Sequence, residues 1–335
     1  MRDAAPITYA SYKVHGTEVK IGWDSDAVGA QLQTLCVYFG LAAASRESAQ
    51  YPITLTWHAQ DPPVTLSAEA RPVAQHRGLQ AWQTERELYL GDGSWLVRLD
   101  TAAGQGVGTF LTAPSALLTL RRDLFLYSLL LLLRRRGCYA AHAACVATED
   151  SGCLIVADSS SGKSTLTLGL VEAGWHYLAD DAVLLQSRGE QVEVFPLRQD
   201  LYLAPEATAM FPDARGQWQP CLLREDTKQR LDMQALYPTQ IRDTCCPNLL
   251  VFPTIVDEPQ SQLVPIGKAE ALLRLIQQSA LLAIDPREAP GHLDILARLV
   301  RQTKHYRLLA GQDLARDPRR IARLLEEVQQ PAPCA

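Results

Sequence analysis

The residues of this chain best suited to chemistry fall in three short groups. They are His142, the stretch "VADSSSGKST" from Val156 to Thr165, and the pair Asp180-Asp181. The stretch closes with Gly162-Lys163-Ser164, as a loop of the pattern G-x-x-x-x-G-K-[ST] does. Such a loop joins a strand to a helix, turns its backbone N–H groups inward and lies at the positive end of the helix dipole. An oligophosphate suits that geometry. The lysine reaches the terminal phosphates and the serine hydroxyl binds Mg²⁺. Asp158, Ser159, Ser160, Ser161, Gly162, Lys163, Ser164 and Thr165 are therefore expected to hold a nucleotide. The pattern asks for glycine at position 157, where this chain has Ala157. A methyl group is tolerated there if the residue has no need of positive φ.

The elements around these groups are those the chemistry needs. "CLIVA", 153–157, is a short apolar run, as a buried parallel strand would be. A helix is expected from Lys163 to about Ala173, ended by Gly174. "HYLAD", 176–180, reads as the next strand and delivers Asp180-Asp181 to the same sheet edge as the loop. Carboxylates at that edge can hold Mg²⁺ through water or accept a proton from an attacking hydroxyl. "YAAHAACVA", 139–147, reads as a strand bearing His142, which a hairpin would bring near the acids.

Elsewhere the patterning is clear but carries no chemistry. Residues 6–23 read as a strand pair and 27–43 as a helix with Leu32, Leu35, Cys36 and Phe39 at helical spacing. Strands are expected at 52–58, 87–91 and 94–99, the last two joined by a Gly-Asp-Gly turn. A helix is expected from about 116 to 136, with Ser115 as its cap. Residues 205–247 look irregular, "NLLVFPTI" at 248–255 reads as a buried strand, and 268–329 reads as mostly helical. The division that follows is an α+β N-terminal domain over 1–113 and an α/β domain with C-terminal helices over 114–335.

Composition narrows the function. The 335 residues are 47% apolar and 21% charged, with a net charge of −5. That balance argues against bulk nucleic-acid binding, which uses many Lys and Arg. The ten-residue run "LFLYSLLLLL", 124–133, lies between arginines and is about half the length of a membrane span. The eight cysteines form no C-x-x-C pair, and the N-terminus shows no apolar core of a signal peptide. A reduced, cytoplasmic protein is the simplest expectation.

Taken together, "HAACVATEDSGCLIVADSSSGKSTLTLGLVEAGWHYLADDAVLL" resembles the catalytic core of the HPr kinase/phosphorylase family. It is similar in particular to the HPr-kinase-like enzymes found beside peptide-modification genes, such as the lasso-peptide kinases. The resemblance is close over about 139–186 and loose beyond it, where "VFPLRQDLYL", 194–203, and "REDTKQRLD", 224–232, look like later substrate and phosphate loops. It implies a P-loop-containing HPr-kinase-like domain using ATP and Mg²⁺, or Mn²⁺, to phosphorylate a serine hydroxyl. The acceptor it implies is a peptide or protein, foremost a peptide natural-product precursor. A small-molecule hydroxyl and a non-catalytic nucleotide-binding partner are the alternatives. No stretch like E-I-R-G-L-G-I-I-N-V is present, which argues against HPr itself and against phosphorolysis. The family's habit of forming oligomers implies a homo-oligomer, although no interface is legible here.

Roles carried over from the family are as follows. Lys163 and the loop hold phosphate. Ser164 and Asp181 hold the metal. Asp180 is given the base role and His142 tunes it. Arg198, Lys228 or Arg230 neutralises the transferring group, with Arg230 taken into the catalytic set.

Overall fold

A computed structural model describes residues 6–44, 52–59, 64–76, 78–91, 95–110, 118–158, 161–197, 200–221 and 227–329. Ser115, the Gly-Asp-Gly turn beyond Gly91, Ser159, Ser160 and Arg198 lie outside the described residues. The architecture is mixed α/β with several sheets. Two compact units are present: Met1–Tyr139 with Ala280–His292, and Ala140–Ser279 with Leu293–Ala335.

Unit 1 contains β1 (Thr8–Val14), β2 (Thr17–Trp23), α1 (Asp26–Tyr38), β3 (Ala42–Ala43), β4 (Ile53–His58), β5 (Arg71–His76), β6 (Leu79–Gln83), β7 (Leu88–Gly91), β8 (Trp95–Asp100), β9 (Gln105–Phe110) and α2 (Leu118–Arg134). Among the described residues its strands form a nine-stranded sheet in the order β3-β1-β2-β4-β9-β8-β7-β6-β5. The expected strand pair is the β1–β2 hairpin, turned by His15 and Gly16 at φ 44° and 84°. Helix α1 starts on Ser25, whose side chain accepts from the Val28 N–H. It stops short of the expected 43 because Gly40 takes φ 66°, a left-handed residue that ends helices.

The apolar run 124–133 is the core of α2. Leu129, Leu131, Leu132 and Leu133 are fully buried. Contacts with the sheet place α2 in unit 1, so the unit boundary falls at Tyr139 and not at the expected 113/114. Among the described residues no helix is long and apolar enough to cross a membrane.

The second unit begins within β10 (Tyr139–Ala141). It continues through β11 (Ala144–Ala147), β12 (Gly152–Ile155), α3 (Lys163–Glu172), β13 (His176–Ala179), β14 (Val183–Arg188), β15 (Gln191–Pro196), β16 (Leu201–Leu203), α4 (Pro205–Thr208), β17 (Gln219–Pro220), β18 (Gln229–Leu231) and α5 (Met233–Leu236). Next come β19 (Pro247–Ile255), β20 (Gln262–Pro265) and α6 (Lys268–Gln277). After α7 (Leu281–Ile284), which belongs to unit 1, α8 (Ala289–Gln302) leads to β21 (Lys304–Ala310), α9 (Gln312–Arg316) and α10 (Ile321–Gln329).

Two expectations need correcting. Residues 205–247 are not featureless: β17 and β18 join β16 in a small sheet. The C-terminal stretch is not only helical, because β21 runs parallel to β19 inside the main sheet.

Among the described residues, the main sheet of unit 2 has the order β13-β11-β12-β19-β21-β20. β11 is antiparallel to both its neighbours, β12 and β13. The two outer strands of that trio therefore end where β11 begins. This one topological fact gathers the loop after β12, the aspartates after β13 and His142 just before β11 at a single sheet edge. The strand expected over 139–147 is in fact broken at His142. β10 pairs with β14 in a second sheet, and the chain crosses to the main sheet between β10 and β11.

Candidate active site

Gly162 stands at the N-cap of α3 with φ 81°, a left-handed conformation that favours glycine. Glycine has no side chain to cap the helix, so the first N–H groups of a ten-residue helix have no side-chain cap and can face a ligand. Ala157 is 7% exposed. Apart from glycines, only His15 and Asp181 have positive φ among the described residues. The methyl group at position 157 therefore meets no left-handed backbone.

Around this helix end lies a cavity of about 270 Å³. His142, Asp158, Gly162, Lys163, Ser164, Thr165 and Asp181 line it, with Tyr202, Leu203, Ala204, Ala207, Lys228 and Ile255. Lys163 is 5% exposed. Its Nζ lies 3.4 Å from Asp181 Oδ1 and 3.3 Å from His142 Nε2. His142 Nδ1 is 2.8 Å from the Asp181 main-chain oxygen. A carbonyl oxygen only accepts, so Nδ1 carries the proton and Nε2 turns a lone pair toward the ammonium. Asp181 itself is held at φ 78°, a conformation that non-glycine residues adopt at a cost and that recurs at functional sites.

Asp180 faces a different partner. Ser164 Oγ donates to its Oδ2 at 2.7 Å. The residue is 1% exposed, and its Oδ1 is buried with no hydrogen-bond partner. A buried, unsatisfied carboxylate oxygen calls for a ligand. A loop serine and a strand-end aspartate are the hard oxygen donors that hold Mg²⁺ beside bound phosphate. Among the described residues no cluster of three or more His, Cys, Asp or Glu could hold a metal by itself. A cation here would complete its shell with substrate oxygens and water, as Mg²⁺ does.

The structure brings together His142, Asp158, Gly162, Lys163, Ser164, Thr165, Asp180 and Asp181. It does not bring Arg230 to them. The Arg230 guanidinium is bound bidentately by Asp200, at 2.7 and 3.0 Å. That hydrogen-bonded pairing raises its pKa above the usual arginine value. The half-buried Lys228 lines the cavity in its place. Ser161 lies on a second cavity of about 310 Å³, with Phe252, Arg274 and Gln278. Nothing in the local sequence marks Arg274 or Gln278. They arrive on α6 and its cap, more than a hundred residues beyond the loop.

A strand–loop–helix unit with paired strand-end aspartates lies in a mixed α/β architecture. No protein-family model matches the chain. It is 34% identical over 93 residues to the HPr kinase/phosphorylase of Chlorobium phaeobacteroides (strain BS1). That match spans 28% of this chain and 26% of the relative, about a quarter of its length. Among solved structures it is similar to the HPr(Ser) kinase/phosphatase from Coxiella burnetii, at 14% identity and a TM-score of 0.30. That likeness covers 57% of this chain and 95% of the other. The chain is thus HPr-kinase-like in sequence over a limited segment.

Proposed function

We infer that this chain is an ATP-dependent kinase that moves the γ-phosphate to a serine hydroxyl. The observation that carries the reading is the sorting of partners at one helix N-terminus. Ser164 goes to Asp180, while Lys163 and His142 go to Asp181. Ser164 and Asp180 would hold Mg²⁺, which when bound neutralises charge between the β- and γ-phosphates. The helix N-terminus and Lys163 bind the phosphates. Lys228 offers a further positive charge at the cavity wall.

Asp181 takes the proton of the incoming hydroxyl as its oxygen bonds to the γ-phosphorus and the bond to the β-phosphate oxygen breaks. His142 orients Asp181 through the main-chain bond of 2.8 Å. This exchanges the aspartate roles expected from sequence: the metal goes to Asp180 and the base to Asp181. The resemblance supports a peptide or protein acceptor, with a peptide natural-product precursor as its source in a reducing compartment.

Mass spectrometry of the protein with ATP, Mg²⁺ and serine-containing peptides tests the reading. The expected result is one added phosphate on a peptide serine. Phosphate appearing on free serine or a sugar instead would move the acceptor to a small molecule. ATP binding without transfer to any hydroxyl would sink the kinase.

Ala157 gives a smaller prediction. Its backbone makes no demand for glycine, so Ala157→Gly should leave Mg·ATP affinity within about fivefold and cost about 0.5–1 kcal/mol of stability. Calorimetric titration and thermal melting measure the two. A gain in affinity well beyond that range would show that the methyl group obstructs the loop.

A further inference from the structure

The C-terminal end of α6 meets the candidate site twice. Gln278, the residue that caps this helix, donates from Nε2 to Asp158 Oδ1 at 2.6 Å. Its main-chain oxygen accepts from the His142 N–H at 3.2 Å. Asp158 stands at the start of the phosphate loop, and His142 faces Lys163 and Asp181. Gln278 is itself fixed, since its own N–H closes the helix on Leu275 O at 3.1 Å.

The choice of an amide is physically apt. An unrestrained carboxylate at the mouth of an anion site opposes the ligand. A neutral donor holds Asp158 in place without adding a charge of either sign. A hydrogen bond to an ionised group is also among the stronger ones.

We propose that Gln278 is a positioning residue for phosphate transfer. Its side chain fixes the start of the loop and its main chain fixes His142. One helix end thereby keeps the phosphate cradle in register with the Lys163–His142–Asp181 group. The proposal rests on the kinase reading above.

Reversing the polarity of the hydrogen bond tests it. Gln278→Glu sets two carboxylates against each other. Asp158→Asn added to that variant restores a donor–acceptor pair with the donor on the loop. The readouts are KM for ATP, kcat, and hydrogen exchange of the His142 amide in nucleotide-free protein. Gln278→Glu should raise KM for ATP roughly ten- to hundredfold and speed exchange at His142. The double variant should regain most of both losses.

Additive effects with no recovery, or a Gln278→Glu protein that matches wild type, would overturn the proposal. Melting curves establish that each variant is folded. If Gln278→Glu does not fold, Gln278→Ala removes the donor without adding charge. An unchanged KM and His142 exchange rate in that variant overturn the proposal equally. Wild-type protein that binds no ATP would sink the kinase reading, and the His142 exchange rates would still decide whether Gln278 ties the two walls together.

Discussion

Asp181→Asn is expected to lower kcat by about 10²–10⁴-fold, the range for loss of a general base, while Mg·ATP still binds. The substitution is nearly isosteric. Asparagine tolerates the left-handed conformation that Asp181 adopts at φ 78°, so the turn should hold. What goes is the proton acceptor and the negative partner of Lys163 at 3.4 Å. Asp180→Asn should behave differently. Its carboxylate is tied to Ser164 and keeps one oxygen without a partner. Its loss should therefore appear as a higher Mg²⁺ concentration for half-maximal rate and a raised KM for Mg·ATP. Initial rates measured across an Mg²⁺ titration separate the two patterns. The reverse assignment, with the Mg²⁺ requirement raised in Asp181→Asn and kcat alone lost in Asp180→Asn, would return the base role to Asp180.

The different partners of the two aspartates were not legible in the sequence, and the reason is local. Two adjacent acids at a strand end look equivalent as letters. They become distinct because Asp180 continues the line of β13 toward α3, whereas Asp181 turns into the left-handed region and swings toward His142. The loop, its strand and its helix were legible because each is written in consecutive residues: an apolar run, glycine, lysine, serine, then helix formers. The sheet edge that gathers them was legible in outline from the strand–helix–strand order.

Other features depended on distant partners. Arg230 looked as available as Lys228 until Asp200, thirty positions earlier, claimed its guanidinium. β21 escaped notice because "KHYRLLA" lies between amphipathic helices, and its burial alternates only imperfectly. The helical period of its neighbours runs over it. Gln278 carries no motif at all, and its role comes entirely from where α6 ends.

The largest stability effect is expected in unit 1, at Asp285. The Arg134 side chain is 0% exposed and that of Asp285 1%. Arg134 donates to Asp285 Oδ2 and to its main-chain oxygen, both at 2.8 Å, and to Leu281 O at 2.8 Å. Burial pulls the Arg134 pKa below the usual arginine value, and the Asp285 charge opposes that pull. Asp285→Ala removes the main opposing charge and leaves a guanidinium in the interior without its hydrogen-bonded counter-ion. Breaking a buried pair from one side costs about 3–5 kcal/mol. Arg134→Met should cost less, because Asp285 keeps Arg287 Nε at 3.1 Å and methionine refills part of the volume. The double variant Arg134→Met/Asp285→Ala should therefore be more stable than Asp285→Ala alone. Urea unfolding of the full chain, followed by hydrogen exchange within α2, reads the effect where it arises and avoids assuming that both units unfold together. If Asp285→Ala proved no worse than Arg134→Met, water would be reaching the guanidinium. The segment 280–292 would then be held in unit 1 by apolar packing of Leu281 and Ile284 and not by the ion pair.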